Sequence, residues 1–241
     1  MAVYTDVLIV GGGFAGVSVA QALVKKDIET VLVDQKDYFE VTFANLRNLA
    51  APQVTRDKAR KKYTDFISGK FIQNRLVELL ANKARFEDGT EIVFKRVVIA
   101  SGSRYPSMPV AKSNRAMGIQ ERNAEFEEFH RQLNVANDIL IVGGGIVGVE
   151  LAGEIAYSFP DKKVTLAHSR SLLLDNFKKR AQRKSTEQLV RLGVEVVFNR
   201  RYKKVDDCYI DQNTGERSDA DLVYEAVGTV DFPEFTRHFL A

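Results

Sequence analysis

Cysteine is nearly missing: Cys208 is the single one among 241 residues. That excludes an internal disulfide and any Cys-x-x-Cys redox pair, and it points to a reducing, intracellular setting. A charge bias is missing too. Lys and Arg number 35 against 32 Asp and Glu, a net charge of +3, too small to argue for a nucleic-acid partner. No apolar run is long enough to cross a bilayer. The opening MAVYTD shows no signal-peptide pattern, and Ala2 breaks the N-myristoylation pattern. The expectation is a cytoplasmic protein. The histidines, His130, His168 and His238, stand at no ligand spacing, so no metal site is expected. Two of the five prolines fall in 103–115, an aperiodic stretch that reads as a linker.

What is present is a repeat. DVLIVGGGFAGVSVA (6–20) and DILIVGGGIVGVELA (138–152) are nearly the same phrase. In each, a short apolar run suits a buried parallel strand, and the residues after the glycines keep helical spacing. TVLVD (30–34) closes the first strand–turn–helix–strand unit, and 163–167 closes the second. The fold class is therefore α/β, with two Rossmann-like dinucleotide-binding domains, doubly wound with parallel sheets.

Between the repeats, TRDKARKKYTD (55–65) reads as an exposed charged helix. Residues 71–94 read as an antiparallel β-meander beside the parallel sheet, with Asp88-Gly89 as a hairpin turn. RVVIAS (96–101) reads as a separate buried strand, and 121–136 as an amphipathic helix. After the second unit come a long basic helix over about 172–192 and strands at 194–198, 204–210 and 221–228. Cys208 falls on the middle one and reads as a small buried residue. Solvated faces are the favoured reading of the basic residues in 55–65 and of Lys178, Lys179, Arg180, Arg183 and Lys184; contact with anionic lipid is the alternative for both, and nucleic acid a further one for the second cluster.

Gly11, Gly13 and Gly16 fit G-x-G-x-x-G, as do Gly143, Gly145 and Gly148. The first glycine permits the tight turn, the second lets the backbone approach a pyrophosphate, and the third lets the helix pack close. The pyrophosphate then lies against free N–H groups at a helix N-terminus. Asp34 ends the second strand, where a carboxylate accepts hydrogen bonds from ribose hydroxyls. Alignment of TVLVD with VTLAH puts His168 at the Asp34 position, followed by Ser169 and Arg170. With the carboxylate gone, Arg170 and His168 suit a 2′-phosphate. The other reading is that they are surface residues and NADH binds through its pyrophosphate alone. Two such sites on one chain suggest a resident flavin and a visiting nicotinamide.

The order of elements resembles the two-dinucleotide flavoprotein reductases. Within that superfamily the residues DQKDYF (34–39), ANLR (44–47), VGVELAGEI (147–155) and VTLAHS (164–169) resemble the apoptosis-inducing-factor type 2, or ferroptosis-suppressor, group and the type II NADH dehydrogenases. VVIASGS (97–103) and DLVYEAVGT (221–229) are similar to the phrases that end the family's two nucleotide domains. The resemblance implies hydride transfer from NAD(P)H to FAD and electron transfer to a quinone-type acceptor. It implies that Gly11, Gly13, Phe14, Ala15, Gly16, Asp34, Lys36, Arg47, Val77, Ser101 and Gly102 surround FAD. It implies that Gly143, Gly145, Ile146, Val147, Gly148, His168, Ser169, Arg170 and Gly228 surround NAD(P)H. Glu150 matches a glutamate near nicotinamide and flavin, the one expected catalytic residue; a favourable charge at a helix N-terminus is its alternative reading.

The domains expected are 1–112 for FAD, 113–230 for NAD(P)H, and 231–241 as the start of a return to the FAD domain whose remainder is absent. Two rivals stand beside the oxidoreductase reading. One is a non-catalytic nucleotide-binding or interaction protein, or an inactive fragment lacking the second FAD segment; the other is a reductase with a protein acceptor such as a ferredoxin. Peripheral membrane contact stays open, and the sequence gives no oligomeric state.

Overall fold

The computed structural model describes residues 3–55 and 58–231. Its N-terminal part runs β1 (Val3–Val10), α1 (Phe14–Val24), β2 (Thr30–Asp34), β3 (Tyr38–Glu40), α2 (Asn45–Ala50), α3 (Pro52–Thr55), β4 (Arg60–Lys62), β5 (Lys70–Gln73), β6 (Leu76–Leu79), β7 (Lys83–Phe86), β8 (Glu91–Ile99) and β9 (Ser103–Arg104). The second part runs α4 (Ile119–Val135), β10 (Asp138–Val142), α5 (Ile146–Ser158), β11 (Lys163–His168), α6 (Lys179–Arg191), β12 (Glu195–Phe198), β13 (Tyr202–Val205), β14 (Cys208–Asp211), β15 (Arg217–Ser218), β16 (Leu222–Glu225) and β17 (Val230–Asp231).

Two sheets carry the architecture. The first has the order β5-β2-β1-β8-β7-β6, parallel from β5 to β8 and antiparallel through β7 and β6. The second is parallel throughout, in the order β12-β11-β10-β16. Each central strand is a continuous apolar run because both of its faces are covered. Leu8 and Val10 of β1 enter one core, and Val7 and Ile9 enter the core on the opposite face. In β10, Ile139 and Ile141 face one core, and Leu140 and Val142 face the other.

Several elements depart from the sequence reading, each for a local reason. The described residues 58–65 form no α-helix. Residues 56–57 lie outside the described part; α3 ends at Thr55, and β4 pairs antiparallel with β3. Tyr63 and Arg60 are buried there. Those two anchors pin a charge run that has no apolar stripe to hold a helix on a core. TEIVF and RVVIAS are one strand, β8, which pairs with β7 at its start and with β1 along its length. The meander is thus the edge of the same sheet, not an addition beside it.

The basic helix begins only at Lys179, because Leu173 is wholly buried and the Leu174 N–H bonds to Gly144 O at 2.9 Å. The strand expected at 204–210 is a hairpin of β13 and β14, turning where Asp206 takes φ +52. Cys208 on β14 is only partly buried.

The stretch read as a linker, 103–115, is packed: Tyr105, Met108 and Val110 join the core of the second part, with Leu46 and Leu49 of α2. Arg122 fixes it. This guanidinium is wholly buried, donates to Pro109 O and Val110 O at 2.9 Å each, and pairs with Glu40 at 2.7 Å and Glu125 at 2.9 Å. Its plane and that of Arg60 both lie against the Phe126 ring, 4.4 and 4.5 Å from the centroid. The two parts are therefore joined through a shared core and a buried ion cluster. Residues 232–241, and with them most of the expected return segment, lie outside the described part.

Candidate functional site

The two glycine turns are built alike, contact for contact. Gly11 N–H donates to Val33 O, and Gly143 N–H to Ala167 O, both at 2.8 Å. Ala100 N–H donates to Val10 O, and Ala226 N–H to Val142 O, both at 2.7 Å. Gly11 has φ +104 and Gly143 φ +116, a region side chains avoid, and a Cβ there would overlap Ala100 O or Ala226 O. A Cβ on Gly16 would overlap Gly11 O, and one on Gly148 would overlap Gly143 O. These four glycines are demanded by the chain's own packing.

The middle-motif glycines are different. Gly13 has φ −70 and ψ −170, and Gly145 has φ −78 and ψ −173, extended conformations open to any residue. Among the described residues, a Cβ at either would meet nothing within 4 Å. Neither backbone geometry nor packing among the described residues requires glycine there. Both cap helices, α1 and α5, whose N-termini have no side-chain cap. An uncapped helix start behind an open, smooth backbone is what an approaching anion needs.

A cavity of about 560 Å³ opens at the first turn, within the range of ligand pockets. Of the residues expected around FAD, Gly11, Gly13, Phe14, Ala15, Asp34, Lys36, Ser101 and Gly102 line it. Gly16 lies beneath, as the packing glycine. Two of the expected residues lie outside the lining. Arg47, on α2, is outside the lining and pairs with Glu154 of α5 at 2.7 Å. Val77 is also outside; it is exposed and falls at a register shift between β6 and β7, while its neighbours Asn74, Arg75 and Leu76 reach the wall.

The sequence reading missed Gly12, Tyr63, Lys112 and Glu40. Tyr63 donates to Gly12 O at 2.8 Å, and its ring fills the space a Cβ on Gly12 would need. A signal did exist: both turns are Gly-Gly-Gly where the motif asks for two. Lys112 lines the cavity and donates to Ser103 O.

Electrostatics suit an anionic ligand with hydroxyls. Burial pushes the Asp34 carboxyl up, against hydrogen bonds from Gly12 N–H at 2.5 Å and Lys36 N–H at 2.8 Å. Burial pushes the Lys36 and Lys112 ammonium groups down. Glu40 also lines the cavity, and its Oε2 is buried without a hydrogen-bond partner among the described residues.

In the second unit His168 takes Asp34's place. Its Nδ1 accepts from Gly144 N–H at 3.1 Å, while Nε2 is buried 3.4 Å from Asp175 Oδ2, with no hydrogen-bond partner among the described residues. Ser169 and Arg170 follow, both exposed. Ile146 and Val147 form the first helical residues of α5, and Gly228, at φ +118, follows Ala226 opposite the turn. Glu150 lies in the same helix, half-buried. Burial, then the nearby Glu154 carboxylate, pushes its carboxyl up, and Arg47 pulls it down.

The family model described as pyridine nucleotide-disulphide oxidoreductase matches residues 5–236. The chain belongs to this family. The family's cofactors are FAD and NAD(P)H. Ferroptosis suppressor protein 1 of Xenopus tropicalis is 34% identical over 203 residues, 83% of this chain and 54% of that protein. Apoptosis-inducing factor homolog A of Dictyostelium discoideum is 32% identical over 219 residues, 86% of this chain and 53% of that protein. The chain thus spans about half the length of these relatives. The reductase in a covalent putidaredoxin reductase–putidaredoxin complex shares the fold, with TM-score 0.74 at 20% identity, over 93% of this chain and 58% of that one. The disulphide in the family's description has no counterpart here, since Cys208 is the single cysteine.

The residues present fit FAD at the first turn and a nicotinamide dinucleotide at the second. At the first, an open glycine face, an uncapped helix start and two lysines suit a pyrophosphate, and Asp34 suits a ribose. The second repeats the glycine face and helix start, with the His168 imidazole in place of the carboxylate and its Nε2 facing Asp175.

Proposed function

We propose that this chain is an NAD(P)H-dependent flavoprotein oxidoreductase that passes electrons to a quinone-type acceptor. Residues 1–112 form its FAD domain and 113–230 its NAD(P)H domain, both Rossmann-like. The observation that carries the reading is the duplicated glycine face: Gly13 and Gly145 are glycines that nothing among the described residues requires. A ligand that comes up against the backbone does require them. The quinone rests on the relatives' likeness alone.

When bound, the cofactors supply the hydride chemistry; the chain supplies binding, orientation and electrostatics. Gly11, Gly13, Phe14 and Ala15 present the α1 N-terminus to one pyrophosphate, with Lys36 as a nearby cation. Asp34 gives a carboxylate to a ribose. Gly143, Gly145, Ile146 and Val147 do the same for the second pyrophosphate from α5. Glu150, its proton held more tightly than an ordinary glutamate's, orients the nicotinamide amide as donor or acceptor. Arg47 steadies that end of α5 through Glu154.

The test contrasts two kinds of glycine. Gly13→Ala keeps the fold, costing under about 1 kcal/mol as a cap change. It weakens FAD binding about tenfold or more, read by quenching of flavin fluorescence. Gly11→Ala instead destabilises the chain itself, by about 1–3 kcal/mol of backbone strain plus overlap with Ala100. If Gly13→Ala binds FAD as the wild type does, the reading fails.

A further inference from the structure

The loop after β11 does more than connect. Leu173 is wholly buried, and its side chain fills the space a Cβ on Gly144 would need. Leu174 takes φ +54 so that its N–H reaches Gly144 O at 2.9 Å. Gln182 of α6 donates its amide to Leu174 O and Asp175 O at 3.1 and 3.2 Å. The loop is thus held against the second glycine turn from two sides, and Asp175 is the residue it places there. Asp175 Oδ2 lies 3.0 Å from Arg170 Nη1 and 3.4 Å from His168 Nε2. One carboxylate oxygen therefore faces both groups that suit a 2′-phosphate.

We propose that Asp175 is a built-in counter-anion for Arg170, with the neutral His168 ring beside it, and thereby sets the second site against coenzymes that carry a 2′-phosphate. This rests on the reading of the second turn as a nicotinamide-dinucleotide site. A phosphate arriving at Arg170 must displace the carboxylate from that guanidinium and then endure it as a like-charged neighbour. A ribose with a free 2′-hydroxyl carries no such charge and leaves the pair in place. The missing carboxylate of the β11 terminus is in this sense supplied from seven residues further on, with a different role. It opposes an added charge, whereas Asp34 receives a ribose.

The ligands for the test are ADP-ribose and its 2′-phosphate, which carry no redox chemistry, with binding to the full chain followed by calorimetry. Asp175→Asn preserves size and removes the charge. It is expected to tighten the 2′-phosphorylated ligand about fivefold while leaving ADP-ribose within about twofold. Arg170→Ala is expected to weaken the 2′-phosphorylated ligand about tenfold, again sparing ADP-ribose. Equal changes in the two ligands on Asp175→Asn overturn the proposal. So does a loss confined to ADP-ribose, which would make Asp175 a ribose acceptor. If ADP-ribose does not bind the wild type at all, the reading of the second site fails, and the inference fails with it. Binding of ADP-ribose with an unchanged preference overturns the inference alone.

Discussion

Gly144 N–H donates to His168 Nδ1 at 3.1 Å, at the place where Gly12 N–H donates to Asp34 Oδ2 at 2.5 Å. A histidine thus does the structural work of a carboxylate in the second copy of the same turn. Because Nδ1 accepts, the imidazole proton sits on Nε2 in the neutral ring. The expected ¹⁵N spectrum of His168 is that of the Nε2–H tautomer. His168→Ala leaves the Gly144 N–H buried without its acceptor, an expected cost of about 1–3 kcal/mol in denaturant unfolding. His168→Asn, which can still offer an oxygen to Gly144, is expected to recover part of it.

Glu150 carries a pH dependence whose sign follows from its surroundings. Its carboxyl is pushed above the ordinary 4.5, by burial first and Glu154 second. The native state therefore holds this proton more tightly than the unfolded chain does. Stability falls as pH rises from below 4.5 through the higher native value, and it stays reduced above that. Glu150→Gln is expected to raise the melting temperature at about pH 7 and to leave it unchanged well below 4.5. Arg47→Ala removes the group that pulls this carboxyl down, so its ¹³C titration is expected to move further upward. FAD binding is expected to change little, because Arg47 lies outside the cavity lining.

Arg122 holds the two parts of the chain together. Its removal as Arg122→Met takes from the buried Glu40 its 2.7 Å partner, leaving Arg60 at 3.7 Å, and strands the Pro109 and Val110 carbonyls. The expected loss is about 3–5 kcal/mol in unfolding free energy. Adding Glu40→Gln is expected to cost less than the sum of the two single changes, because the two side chains share one interaction. Additive losses would show that the cluster does not act as a unit.

Much of the turn chemistry was legible because sterics write it into the sequence. Gly11, Gly16, Gly143 and Gly148 sit where a Cβ would strike backbone, and the apolar runs of β1 and β10 announce strands covered on both faces. What the sequence hid lay in tertiary contacts. Tyr63 and Arg60 turn a charge-rich stretch into a short strand because each finds a partner far along the chain, Gly12 and Glu40. Met108 and Val110 look like linker residues until α2 and α4 close over them. Arg47 fits a motif, yet its nearest partner is Glu154, a residue no local pattern connects to it. Asp175 belongs to no motif; its position comes from Leu173, Leu174 and Gln182 acting on a loop that periodicity reads as helix.

The most direct measurement is the visible absorption spectrum of the full chain, incubated with FAD, freed of excess, and titrated with NADH and then NADPH without oxygen. The expected result is a retained flavin band that bleaches on adding the nicotinamide, with less NADH than NADPH needed. A chain that keeps no flavin, or keeps a band that neither nucleotide bleaches, would contradict the account of two dinucleotide sites working on each other.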